Sequence, residues 1–161
     1  MVIVYEYSSL LKIPPSERLD ICSSIIKNEE DESLRGEAVW VLGKTWTEVG
    51  EGDPTRKIVA ELLEFAIKND DNEIVRHEAA YQLGEHNMRE KIPILIDLAL
   101  HDTSEIVRHE AIEAIGLLEA IDCKEVLKKF LQDKNSGVRQ TAVFVLKQLN
   151  RLEKAHSSKN P

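Results

Sequence analysis

Two identical heptapeptides carry the side chains of this chain best suited to chemistry. Residues 73–79 and 105–111 both read Glu-Ile-Val-Arg-His-Glu-Ala, so His77-Glu78 returns as His109-Glu110 at an offset of 32 residues. Imidazole binds transition metals or carries protons near neutral pH, and glutamate can ligate a metal or hold a cation. Adjacent residues on a helix point about 100° apart, so the two members of one pair do not chelate the same ion. His77, His109 and one carboxylate form the two-histidine, one-carboxylate pattern that suits non-haem iron(II). The residues four places after the histidines are Tyr81 and Glu113, so the zincin motif His-Glu-x-x-His is absent. The chain also lacks a glycine-rich phosphate loop, a Gly-x-Ser-x-Gly elbow and a Cys-x-x-Cys pair. A structural reading stands beside the chemical one. Duplication alone would leave identical solvated first turns, where glutamate is favourable near the helix N-terminus.

Stepping outward from these pairs reveals the elements that must hold them. Fainter copies of the unit lie at Leu34-Arg35 with Glu37-Ala38, and at Val138-Arg139 with Ala142. The four arginines Arg35, Arg76, Arg108 and Arg139 are each followed three residues later by alanine. Before each unit, apolar residues recur at helical spacing, as in Ile58, Leu62, Leu63, Ala66 and Ile67. Each repeat therefore reads as a helix pair. First helices are expected near 16–28, 54–69, 90–101 and 122–132, and second helices near 32–44, 73–86, 104–118 and 135–150. Asp53-Pro54 marks a helix start, and Gly43, Gly84 and Gly116 are expected to release the second helices into turns. Residues 45–53 read as a loop inserted between repeats one and two, with Trp46 on it as a lid or as an aromatic packed back on a helix. Residues 156–161 read as a frayed tail. Val2 to Tyr7 alternates like a strand but is short and isolated.

One helix pair cannot bury its apolar face alone, so the pairs must stack. The expected fold class is all-α, an α-solenoid of about four repeats in a single domain spanning 1–161, with repeats near 16–44, 54–86, 90–118 and 122–150. The Val-Arg-x-x-Ala units, the Leu-Gly or Ile-Gly that follows, and an acidic residue six places before each arginine (Asp70, Asp102, Asp133 and, more loosely, Glu29) resemble HEAT-like repeats of the phycobilisome lyase type. That resemblance implies an internal ladder in which each arginine pairs with an acidic residue of a neighbouring turn. Second helices of such repeats line a concave face. There Trp40, Tyr81, Glu113 and Phe144, each four residues past the paired position, would form a partly aromatic stripe suited to a protein partner.

The two His-Glu runs are also similar to the motifs of one half of deoxyhypusine hydroxylase. That family has two halves of four HEAT-like repeats and hydroxylates a modified lysine on a translation factor with a di-iron centre and oxygen. The resemblance implies iron held by His77, His109 and Glu110, with Glu78 facing the substrate amine. This chain has two His-Glu pairs where that enzyme has four, so a dinuclear centre would need a homodimer facing across a two-fold axis.

Composition narrows the setting. The 161 residues are 42% hydrophobic and 31% charged, with Lys and Arg totalling 21 against 29 for Asp and Glu, a net charge of -8. Binding that gains affinity by releasing counterions from phosphates needs a basic face, so neither nucleic acid nor an anionic membrane is the expected partner. No run of about 18 apolar residues occurs, and residues 1–11 lack a basic leader. Two cysteines cannot build a disulfide framework, which points to a cytoplasmic, reduced setting. The leading expectation is a protein-binding scaffold with an acidic concave face, and the alternative is a half-size, hydroxylase-like iron protein.

Overall fold

A computed structural model describes residues 7–158, and all of its regular structure there is helical. The α-helices are α1 (Tyr7–Leu10), α2 (Pro15–Asn28), α3 (Glu32–Glu48), α4 (Pro54–Asn69), α5 (Glu73–Glu85), α6 (Ile92–His101), α7 (Glu105–Leu117), α8 (Lys124–Leu127) and α9 (Ser136–Ser157). None of the described helices is long and apolar enough to cross a membrane. Of the alternating run Val2 to Tyr7, only Tyr7 falls among the described residues, at the start of α1.

The helix starts follow from local chemistry. Asp31, Asp53 and Asn135 precede α3, α4 and α9, and each side-chain oxygen accepts a bond from the amide two residues on, at 2.8 Å. These bonds satisfy donors that a first helical turn leaves without partners. Pro15 and Pro54 occupy first-turn positions, where a missing amide is harmless.

The chain divides into two compact units, residues 1–82 and 83–161, with the border inside α5. In the first, α2 packs on α3 and α4, and α3 packs on α4. Leu19, Cys22, Leu42, Val59 and Leu63 form its core. In the second, α7 packs between α6 and α9, and the short helical stretch around α8 closes on α9. Its core holds Leu95, Val107, Ile112, Ile115, Leu127 and Leu149.

Three local expectations need correction. Helix α3 does not stop at 44. It continues through Glu48, because Thr45 is fully buried and its hydroxyl bonds back to the Val41 carbonyl at 2.8 Å. The connecting segment is therefore only 49–53. Trp46 is part of the helix, with the Arg56 guanidinium 4.8 Å from its ring. The helix expected at 122–132 is split. A single α-turn, α8, is followed by a 3₁₀ stretch over Lys128–Gln132. At the far end α9 holds through Ser157, so His156 and Ser157 are helical rather than frayed.

Gly84 and Gly116 do not release their helices either. They sit inside α5 and α7, and the turns come later, at Asn87 and Glu119, whose φ values are 53° and 50°. The amides of Met88 and Ala120 reach back to the carbonyls of Leu83 and Ile115, the bond that closes a Schellman cap. The two glycines instead permit close packing. A Cβ on Gly84 would lie 2.8 Å from Ala114, and one on Gly116 would lie 3.0 Å from Val145.

Candidate functional site

The repeat arginines position the first turn of each second helix. Arg35, Arg76, Arg108 and Arg139 each send Nη1 to the carbonyls six and five residues earlier, as in Arg108 to Asp102 at 3.1 Å and Thr103 at 3.2 Å. Each guanidinium thus closes the turn that precedes its own helix. The acidic residue six places earlier contributes its backbone to that arginine. The carboxylates of Asp70 and Asp133 serve the arginine of the preceding repeat. Arg35 donates through Nε and Nη2 to Asp70 at 2.7 and 2.9 Å, and Arg108 donates in the same way to Asp133 at 3.0 and 3.0 Å. The Arg108 guanidinium holds the Asp133 carboxyl below its ordinary pKa, and bonding to the Asn135 amide adds to the effect.

Within the first unit, the stripe of Glu32, Gly36, Glu37 and Trp40 on α3 faces Ile74 and Glu78 on α5 across a cleft of about 570 Å³. Glu78 is half-buried, and its Oε1 accepts a bond from buried Gln82 at 2.7 Å. The Lys44 ammonium lies 4.9 Å from the Trp40 ring. Ile74 is 56% exposed, although it is a large aliphatic residue. His77 is half-buried on the first turn of α5, and Tyr81 is exposed one turn later. The structure therefore brings Trp40 and Glu78 onto one cleft.

Within the second unit, His109 Nδ1 lies 2.6 Å from Thr141 Oγ1, and Nε2 lies 3.6 Å from Glu113 Oε1. The Thr141 hydroxyl also donates to the Gly137 carbonyl at 3.0 Å, so the short contact to His109 has the imidazole N–H as donor. Glu110 is buried, Glu113 is half-exposed, and Phe144 is 67% exposed on α9. Among the described residues, no group of three or more His, Cys, Asp or Glu side chains is placed to hold a metal ion. Both His109 nitrogens already face oxygen atoms of their own unit.

No sequence motif marks Thr141, Glu37, Gly36 or Ile74 as site residues. Thr141 was within reach of the repeat arithmetic, since it fills in the last repeat the place that Glu78 and Glu110 fill in the central two. Glu37 fills that place in the first repeat. Gly36 and Ile74 leave no such signal, because only the packed helices show which apolar and small residues border open space.

Comparison with known proteins agrees with this architecture. Residues 19–116 and 92–157 match the protein family of HEAT repeats. Among solved structures, human deoxyhypusine hydroxylase in complex with glycerol is similar at 26% identity and a TM-score of 0.70, over 88% of this chain and 46% of that one. The chain thus spans about half the length of that protein. The complex of CpcE and CpcF of phycocyanin lyase from Nostoc sp. PCC7120 aligns at 19% identity with a TM-score of 0.53, covering 86% of this chain and 66% of that one. A designed armadillo repeat protein aligns at 18% identity and 0.57, covering 90% and 70%. The last two likenesses concern fold alone. A search of curated proteins gives no match.

Proposed function

We propose, since this chain belongs to the HEAT-repeat family, that it is a small cytoplasmic scaffold, acting as one domain of four repeats, that holds another protein through exposed side chains of its second helices. The observation that carries this reading is the exposure of apolar and aromatic side chains beside carboxylates on those helices. Ile74 and Tyr81 are exposed on α5 and Phe144 on α9, and Ile74 lines one cleft together with Glu37 and Glu78. Water-facing aromatic and aliphatic side chains are costly to leave uncovered in groups and are typical anchors of an interface. The net charge of -8 favours a partner with a basic contact surface.

The reading is tested with a photo-crosslinking amino acid placed singly at Tyr81, Glu113 and Phe144, and as a control at Lys57 on α4. A shared crosslinked partner from the three test positions and none from Lys57 supports it. Equal labelling from all four positions, or none from the test positions, rejects it.

The likeness to deoxyhypusine hydroxylase favours a second reading. A half-size, hydroxylase-like protein would bring together His77, His109 and Glu110 of two copies, with Glu78 toward a cationic substrate side chain. Iron would supply oxygen chemistry in such a centre. The chain's own part would be to hold the imidazoles as neutral ligands and to offer carboxylates to the amine. Since this chain carries two His-Glu pairs where that family has four, a dinuclear centre in this reading requires the second copy.

A further inference from the structure

We infer that the cleft between α3 and α5 is a subsite for an extended basic segment of a partner protein, one that sets a lysine or arginine beside an aliphatic residue. This inference deepens the scaffold reading and rests on it.

Gly36 is the first support. Glycine inside a helix is destabilising relative to alanine, and it persists where something needs the space. At Gly84 and Gly116 that need is a packed neighbour within 3.0 Å of where a Cβ would stand. At Gly36 a Cβ would meet no atom within 4 Å, so packing of the chain itself does not call for glycine there. The space that its missing side chain leaves is the cleft.

The lining chemistry identifies the occupant. Glu32, Glu37 and Glu78 border the cleft, and none of its lining residues is basic. Trp40 contributes an aromatic wall that already has the Lys44 ammonium 4.9 Å from its ring, so this indole accepts cations in its present setting. Ile74, 56% exposed, supplies an aliphatic contact on the facing helix. Gln82, buried at 3% exposure, bonds to Glu78 and fixes its carboxylate. A basic side chain can lay its methylene stem along Trp40 and its charged head between Glu37 and Glu78, while a neighbouring aliphatic side chain covers Ile74. The volume of about 570 Å³ suits two or three side chains. Phosphate-bearing ligands would be repelled by the same carboxylates.

The test is a titration of the full chain followed by NMR. The signals observed are the indole N–H signals of Trp40 and Trp46 and the Ile74 methyl. The probes are the capped peptide Leu-Lys-Leu-Arg-Leu and its analogue with glutamine at both basic positions. The basic peptide should move the Trp40 and Ile74 signals but not Trp46, and bind about tenfold more tightly than the glutamine analogue. Joint replacement Glu37→Gln and Glu78→Gln should remove that preference. Gly36→Met should fill the cleft and abolish binding without lowering the melting temperature. Equal affinity for the two peptides overturns the subsite, and so does unchanged binding by the Gly36→Met protein. Crosslinks at Tyr81, Glu113 and Phe144 with no response at Trp40 overturn the subsite and leave the scaffold standing. Failure of both measurements overturns both.

Discussion

The guanidinium of Arg108 makes two parallel bonds to Asp133 and two more to backbone carbonyls, with the two side chains only 5% and 12% exposed. Such a fork is strong when complete, and removing one partner leaves a buried charge uncompensated. Asp133→Asn should therefore lower stability by about 2–3 kcal/mol at neutral pH, read by denaturant unfolding. The sign with pH follows from the depressed folded pKa of Asp133. The contribution is complete above the unfolded carboxyl range near pH ~4 and is lost as pH falls through the lower folded value. The gap between the parent and Asp133→Asn proteins should thus narrow steadily below pH ~4. A gap unchanged down to pH ~2 would deny the ion pair its role. Arg18 is a second residue of this kind. It is 1% exposed and donates to the carbonyls of Leu10, Leu11 and Ile13, to Thr45 and to Glu48, tying the segment around α1 to α3.

At the scale of the helix, position decides whether a small residue helps or harms. Glu119 occupies a left-handed conformation that a Cβ disfavours by roughly 1–2 kcal/mol. Glu119→Gly should raise stability by about 1 kcal/mol, measured as an upward shift of the melting temperature. Gly84→Ala has the opposite sign, because its new methyl would stand 2.8 Å from Ala114. Moving the chain at Gly84 away from Ala114 enough to admit it should cost about 1–3 kcal/mol. A neutral Gly84→Ala protein would mean that the Gly84–Ala114 contact gives way freely.

At the scale of the molecule, the two functional readings differ in metal content and mass. The scaffold reading expects untagged protein to purify without stoichiometric iron, and expects His77→Ala and His109→Ala to leave its trace-metal content unchanged. The hydroxylase-like reading expects iron that is lost in both variants, together with a dimer in sedimentation. Elemental analysis and sedimentation on one preparation separate them. A monomer lacking iron removes the second reading, and an iron-bearing dimer displaces the first as the main account.

Periodicity and identical heptapeptides were enough to establish the helix pairs and the repeat class, because burying one face of an amphipathic helix imposes a spacing that survives in the residues themselves. The arginines and their acidic neighbours could be recognised from the same spacing, but which acid meets which arginine could not. Asp70 and Asp133 serve Arg35 and Arg108 across a whole repeat, and only stacking determines which loop meets which. The extension of α3 through Thr45 was hidden because its cause, burial beneath Arg18, is a long-range contact. For the candidate site, the charged and aromatic members Trp40, Glu78 and His109 were legible by type. Gly36, Ile74 and Thr141 acquire meaning from what surrounds them, and packed helices alone create the empty space and the short contact that single them out.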